Sequence, residues 1–232
     1  FHRASLRAHQ CFARGLNVAG QPEPGIENTR LLGGQSIKQH FILLLAARHL
    51  SPANFSKLAD EIEKTMFVWL ITGTPGKEYE RRIVEAAHRL RDATDDQVDA
   101  FIASVFARER AGLDREFEHA LLTLSTRNVR QFRMRYRLAK TTQYVDLLAY
   151  GPSESRNRLA DYTAGGNDIE HILPDNGHAD AIAEFGEDGT DQDIIQSLGN
   201  LLLIEKSINR SISNGRYSDK IKAYAQSKFL LT

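Results

Sequence analysis

Two stretches near the end of the chain hold the residues best suited to chemistry: Asp168-Ile-Glu170-His171-Ile-Leu-Pro174 and Leu198-Gly-Asn200-Leu-Leu-Leu-Ile-Glu-Lys-Ser-Ile-Asn209-Arg210. The chemistry they suggest is hydrolysis of a phosphodiester. That reaction needs a water made nucleophilic near neutral pH, and imidazole is the side chain whose ordinary pKa suits the task, so His171 is the general base we expect. Negative charge grows on the leaving and non-bridging oxygens. A hard divalent cation held by oxygen ligands stabilises it, and Glu170 and the amide of Asn209 are the ligands we expect, for Mg²⁺ first and Mn²⁺ second. A base also needs its ring orientation held from the far nitrogen, and Asn200 can offer a side-chain or backbone carbonyl for that.

Geometry sets a condition on this site. Side chains alternate along a regular strand, so Glu170 and His171 share a face only if the strand ends or bulges at the pair, which Pro174 makes reasonable. If the strand stays regular, Asp168 joins Glu170 on one face and becomes the rival ligand. Asn214 is the rival of Asn209, although Asn214-Gly215 also reads as a left-handed helix stop. Lys220 has two readings, a contact to phosphate or developing charge and a surface lysine. For His178 a solvated loop residue is preferred over a substrate contact.

The Glu-His pair, the following Asn200 and the helical Asn209 resemble the HNH, or ββα-metal, nuclease superfamily, whose hairpin supplies an acid, the His and an orienting Asn before a ligand-bearing helix. The nine-residue step from Asn200 to Asn209 equals the step in HNH domains of RNA-guided nucleases. Ile-Glu-His-Ile-Leu-Pro, Leu-Gly-Asn-Leu and the tail of Asn209, Ser213-Asn214, Lys220 and Tyr224 are, more narrowly, similar to the C-terminal nuclease domain of GmrSD-type modification-dependent restriction endonucleases. The resemblance is carried by about residues 165–230. It implies DNA as substrate, a bacterial defence role against phage or foreign modified DNA, and an upstream nucleotide-binding domain whose Asp-Gly-Gln-Gln-Arg signature this stretch lacks.

The elements that must position these residues are mainly helical. Residues 1–16, 36–50, 52–71, 77–93, 97–107, 113–124 and 127–150 have helical composition or apolar spacing, with Ser51 as N-cap before Pro52 and a capping box at Thr94-Asp-Asp-Gln97. Gly151 to Asn167 turns to Pro, Gly, Ser and Thr and is expected as a linker. Short strands are expected at 168–173 and 201–205, a short helix at 179–185 and a last helix at 218–230. The fold class is therefore mainly α: an N-terminal helical region over 1–150, the linker over 151–167, and a small α+β domain with a ββα-metal core over 168–232.

Composition bounds the rest. At 232 residues and 41% hydrophobic the chain can bury a sizeable core. Its single Cys11 excludes an internal disulfide framework and four-cysteine zinc clusters. No glycine-rich phosphate loop, Gly-x-Ser-x-Gly or His-Glu-x-x-His offers a competing apparatus. No cleavable signal and no membrane-length apolar run is present, so a cytoplasmic protein is expected. The chain begins on Phe1 without an initiator Met, so a fragment of a longer protein is expected.

The net charge of zero conceals an imbalance, since residues 161–232 hold 6 Lys and Arg against 12 Asp and Glu while residues 1–160 hold 24 against 18. Phosphate neutralisation drives non-specific affinity, so DNA contact is expected from the helical part. Arg130, Arg133, Arg137 and Lys140 recur at helical spacing as one stripe, for which a solvated face is the competing reading, and Arg210 beside Asn209 is a further phosphate contact. Two other functions remain in view: a catalytically inactive helical DNA-binding or interaction module, and an RNA-cleaving HNH nuclease.

Overall fold

The computed structural model describes residues 2–34, 37–176 and 178–232. The chain is mainly α, with one two-stranded antiparallel sheet, and divides into two compact units, Phe1–Leu121 and Leu122–Thr232. Among the described residues no helix is long and apolar enough to cross a membrane.

The first unit holds α1 (His2–Phe12), α2 (Pro24–Gly33), α3 (His40–Ala46), α4 (Pro52–Ile71), α5 (Gly76–Leu90), α6 (Val98–Ile102), α7 (Arg108–Ala111) and most of α8 (Asp114–Leu122). Its core gathers Phe12, Leu32, Leu44, Leu58, Ile62, Met66 and Ile83. Gly25 permits α2 to press on α4, because a Cβ there would lie 2.6 Å from the backbone carbon of Ala59. Pro52 opens α4 as expected, but the Ser51 hydroxyl makes no cap bond within its own helix. It donates to Asp95 instead, whose carboxylate also receives the Ser51 N–H and the Asn54 amide. A distant carboxylate thus meets the positive end of α4, and these hydrogen bonds, Asn54 first, hold Asp95 below the usual carboxylate range. The capping box closes where the spacing placed it, with Gln97 Oε1 accepting the Thr94 N–H at 3.1 Å.

In the second unit a long helix, α9 (Gln131–Tyr150), is followed by α10 (Glu154–Asn157), α11 (Leu159–Thr163) and β1 (Asn167–His171). Then come α12 (His178–Phe185), α13 (Gln192–Ile195), β2 (Leu201–Glu205), α14 (Lys206–Ile212) and α15 (Tyr217–Tyr224). Segment 151–167, expected as a linker, is therefore largely helical, and both short helices pack on α9. Helix α9 also packs against β2, so it belongs with the hairpin rather than with the helices before it. The reason is burial: Met134, Leu138 and Ala139 are enclosed, and Gln143 and Asp146 bond the segment that follows, Asp146 through Tyr162 Oη at 3.0 Å.

Strand β1 pairs with β2 from Asn167↔Glu205 to His171↔Leu201. It is two residues shorter than expected at its far end. The Ile172 N–H still meets the Asn200 carbonyl at 2.9 Å, but the Leu173 N–H, which a ladder would point away from β2, turns to the Asn200 side-chain oxygen at 2.7 Å, and Pro174 has no N–H for a further rung. Leu202 and Ile204 of β2 meet Ile208 and Ile212 of α14 and Tyr217 and Tyr224 of α15 in a small core.

Candidate active site

The two strands and α14 follow one another as strand, strand, helix, and the predicted residues sit on them. Glu170 and His171 are the last two residues of a regular strand. The strand neither ends before the pair nor bulges, so alternation sends their side chains to opposite faces. Asp168 then shares a face with Glu170, but its Oδ1 is 3.1 Å from an Arg135 guanidinium nitrogen, and Arg135 also donates to the Asn167 carbonyl. The rival ligand is already neutralised by α9.

Glu170 is equally engaged. Lys220 Nζ on α15 lies 2.6 Å from Glu170 Oε1 and 2.7 Å from the His171 carbonyl oxygen, and the Tyr224 hydroxyl donates to the same Oε1 at 3.0 Å. The two charged side chains are 1% and 6% exposed. Lys220 is neither a surface lysine nor free to reach a phosphate. It ties α15 to the last two residues of β1. Burial, then the neighbouring Glu170, hold the Tyr224 hydroxyl above its ordinary pKa, which keeps it a donor. An ion pair this buried is costly to break from one side, because the remaining charge is left without compensation.

Asn200 does not hold the His171 ring. Its amide nitrogen donates to the Leu173 and Ile195 carbonyls at 3.0 and 2.8 Å, its side-chain oxygen takes the Leu173 N–H, and its backbone oxygen takes the Ile172 N–H at 2.9 Å. It fixes the chain immediately after His171 rather than the imidazole itself. His171 Nε2 is buried without a hydrogen-bond partner among the described residues.

Asn209 lies on α14, partly exposed, and its side-chain amide has no hydrogen bond among the described residues. Asn214 is exposed beyond the helix, and the left-handed residue expected there is Ser213, at φ 45°. Arg210 and Arg130 are exposed, the latter at the N-cap of α9. Arg137 is 4% exposed, and burial with Arg133 alongside draws its guanidinium down to about 10. The stripe Arg130, Arg133, Arg137 and Lys140 is therefore not one open face. Helical spacing reports which residues share a side of α9 but not which side is covered. The side chain of His178 lies outside the described residues.

Two contributors had no role assigned from the sequence. Tyr224 belongs to the tail that carries the resemblance, and its i, i+4 spacing from Lys220 on α15 is the signal that pairs the two. Arg135 carried no signal, since nothing in its spacing distinguishes it from its neighbours.

No group of three His, Cys, Asp or Glu side chains is placed to hold a metal among the described residues. A hard cation can still be held by fewer protein oxygens, with water and phosphate completing its shell. Glu170 Oε2, which has no hydrogen bond among the described residues, and the Asn209 amide oxygen are chemically suited to it.

A family model described as GmrSD restriction endonucleases, C-terminal domain, matches residues 113–232. No curated protein and no solved structure matches the chain.

Proposed function

The chain belongs to the family of GmrSD restriction endonuclease C-terminal domains, matched over more than half its length, and from that premise we propose that it is an HNH-type nuclease hydrolysing DNA phosphodiesters with a divalent cation. The observation that carries this reading is the Glu170-His171 pair closing a two-stranded hairpin whose second strand runs directly into the helix bearing Asn209. As His171 is the last residue of β1, a phosphodiester lying across the end of that strand meets side chains from both faces.

His171 takes the proton from the attacking water through its accessible ring nitrogen. Glu170 Oε2 and Asn209 would hold Mg²⁺ or Mn²⁺, which when bound supplies charge stabilisation at the phosphate oxygens. Lys220 and Tyr224 are positioning residues: they orient the Glu170 carboxylate and, through the His171 carbonyl, the backbone that aims the imidazole. Asn200 pins the next two residues, so His171 is held from behind and ahead. Arg210 and Arg130 are exposed and contact phosphates away from the cleaved bond. The family match supports, as part of the same proposal, an upstream nucleotide-binding domain and a defence role against foreign DNA in the whole enzyme.

The test is cleavage of supercoiled plasmid, and of a structured RNA, by the protein with Mg²⁺, Mn²⁺ or EDTA. We expect nicking of DNA with metal, none with EDTA, and none by a folded His171→Ala variant. Undiminished cleavage by that variant, or cleavage of RNA alone, overturns the proposal.

A further inference from the structure

A cavity of about 310 Å³ lies within the second unit, at the other end of the hairpin from His171. Its position follows from hydrogen bonds. The Asn167 amide donates to the carbonyls of Asp161 and Tyr162, and Glu205 accepts the Lys228 N–H, so the cavity adjoins the first rung of the ladder, Asn167↔Glu205. His171 closes the last rung four residues away, roughly 13 Å at about 3.3 Å per residue.

The lining combines three kinds of group. Tyr162 and Phe229 stack at 5.4 Å between centroids and form an apolar wall. Behind it Asp146 has both oxygens occupied, by the Tyr162 hydroxyl and the Leu230 N–H, so this buried acid has no lone claim on a ligand. At the mouth stand two cations without a carboxylate partner among the described residues. Arg156 lies over the ring of Tyr150 at 5.4 Å and spends one terminal nitrogen on the Tyr150 and Gly151 carbonyls, leaving its other N–H groups unspent. Lys228 stands 4.8 Å over Phe229 and makes no side-chain hydrogen bond among the described residues. Asp161, the acid at the rim, faces Arg158 at 3.9 Å.

Open cations beside aromatic rings suit a ligand that is anionic at one end and planar or apolar at the other. A guanidinium stacked on Tyr150 at 55% exposure offers a flat platform as well as donors. The volume is at the lower end of small-molecule sites. We infer that this cavity binds one nucleotide unit, its phosphate between Arg156 and Lys228 and its base or sugar along Tyr150 and the Tyr162–Phe229 wall. The source is a nucleic-acid strand, which the cavity anchors some distance from the bond that is cut. That last step rests on the nuclease reading, whereas binding of a free nucleotide does not.

The experiment measures binding in EDTA, so that cleavage plays no part. Titrating deoxyadenosine monophosphate into the protein by NMR should shift resonances of Tyr150, Tyr162 and Phe229, and inorganic phosphate should do so at least tenfold more weakly. A labelled single-stranded oligonucleotide, followed by anisotropy, should bind Arg156→Gln/Lys228→Gln about tenfold more weakly than the parent. Its log affinity against log salt should flatten by about 0.7 for one lost phosphate contact on a single strand. Arg115→Gln/Arg127→Gln, which removes the same charge outside the cavity, should bind nearly as the parent does. Because Arg156 also holds carbonyls at the end of α9, Lys228→Gln alone keeps the test valid should the double variant fold poorly. Equal losses in the two double variants, an unchanged Lys228→Gln, or equal binding of phosphate and nucleotide overturns the assignment. Nucleotide binding without oligonucleotide binding retains the cavity and removes the strand as its source.

Discussion

His171 stands at the end of its strand with one ring nitrogen buried and, among the described residues, unpartnered, so its effect on rate is separable from its effect on folding. We expect His171→Ala to lower cleavage by about 10²–10⁴-fold, the usual contribution of a general base, while thermal unfolding stays near the parent. Lys220 behaves in the opposite way. Its ammonium compensates Glu170 in a nearly sealed site, so Lys220→Ala leaves a buried carboxylate unpaired and should cost about 3–5 kcal/mol. Urea denaturation reads that loss, and a destabilisation under 1 kcal/mol would show the pair to be solvated. Lys220→Arg should recover part of the stability but less of the turnover, because a planar guanidinium cannot place one donor point on both Glu170 Oε1 and the His171 carbonyl. Asn209→Ala removes no side-chain hydrogen bond among the described residues. It should raise the Mn²⁺ concentration needed for half-maximal nicking and weaken Mn²⁺ binding measured by electron paramagnetic resonance; unchanged metal affinity would remove Asn209 as a ligand.

At the scale of elements, one side chain fixes the chain just beyond β1. Asn200 clamps the Leu173 N–H and carbonyl with its own amide and bonds across to α13 through Ile195, so Asn200→Ala orphans several backbone groups at once. Each buried group left unsatisfied costs about 1–3 kcal/mol. We expect faster hydrogen exchange at Leu173, and a protected Leu173 amide in the variant would refute that role. Helix α3 presents a pH-dependent element. His40 is 1% exposed with neither ring nitrogen bonded among the described residues, and burial lowers its pKa from 6.5 to about 4. The folded state refuses a proton that the unfolded chain accepts. The stability concerned is fully present above pH 6.5 and is lost as pH falls towards 4, amounting to about 3 kcal/mol at about 1.4 kcal/mol per pKa unit. Urea midpoints at pH 7 and 4.5 should differ for the parent, and His40→Leu should narrow the difference.

For the whole molecule, the charge pattern has a location that residue counts over two halves do not disclose. Residues 1–121 hold 16 Lys and Arg against 16 Asp and Glu, so the first unit is formally neutral. The positive excess sits in residues 122–160, 8 against 2, inside the same unit as the acidic 161–232. There it is partly spent internally, Arg135 on Asp168 and Arg127 on Asp193 at 2.8 Å. On the proposed function, affinity for DNA depends on the cations left over. Changing exposed Arg130 and Arg210 to Gln should flatten the salt dependence of duplex binding by about 0.9 per lost phosphate contact, while Arg137→Gln should leave the slope alone. A slope altered by Arg137→Gln would place that buried residue on the DNA.

The sequence by itself determined the helical class, the hairpin and the identity of the residues around its end, because periodicity, β-branched runs and short motifs are local properties of the chain. Thr94 with Gln97, Pro52 at the head of α4, and Glu170-His171 before Pro174 were all legible for that reason. What only the tertiary structure decided was which partner each side chain meets. Lys220 lies fifty positions from Glu170 and Arg135 lies thirty-three from Asp168, and nothing along the chain records that they touch. Asn200 was recognisable as important but not as the clamp on the chain after β1, since its bonds run to backbone that folding brings beside it. Burial likewise belongs to packing: Arg137 shares a helical face with exposed Arg130 in the sequence, and the surrounding structure alone makes one a buried cation and leaves the other in water.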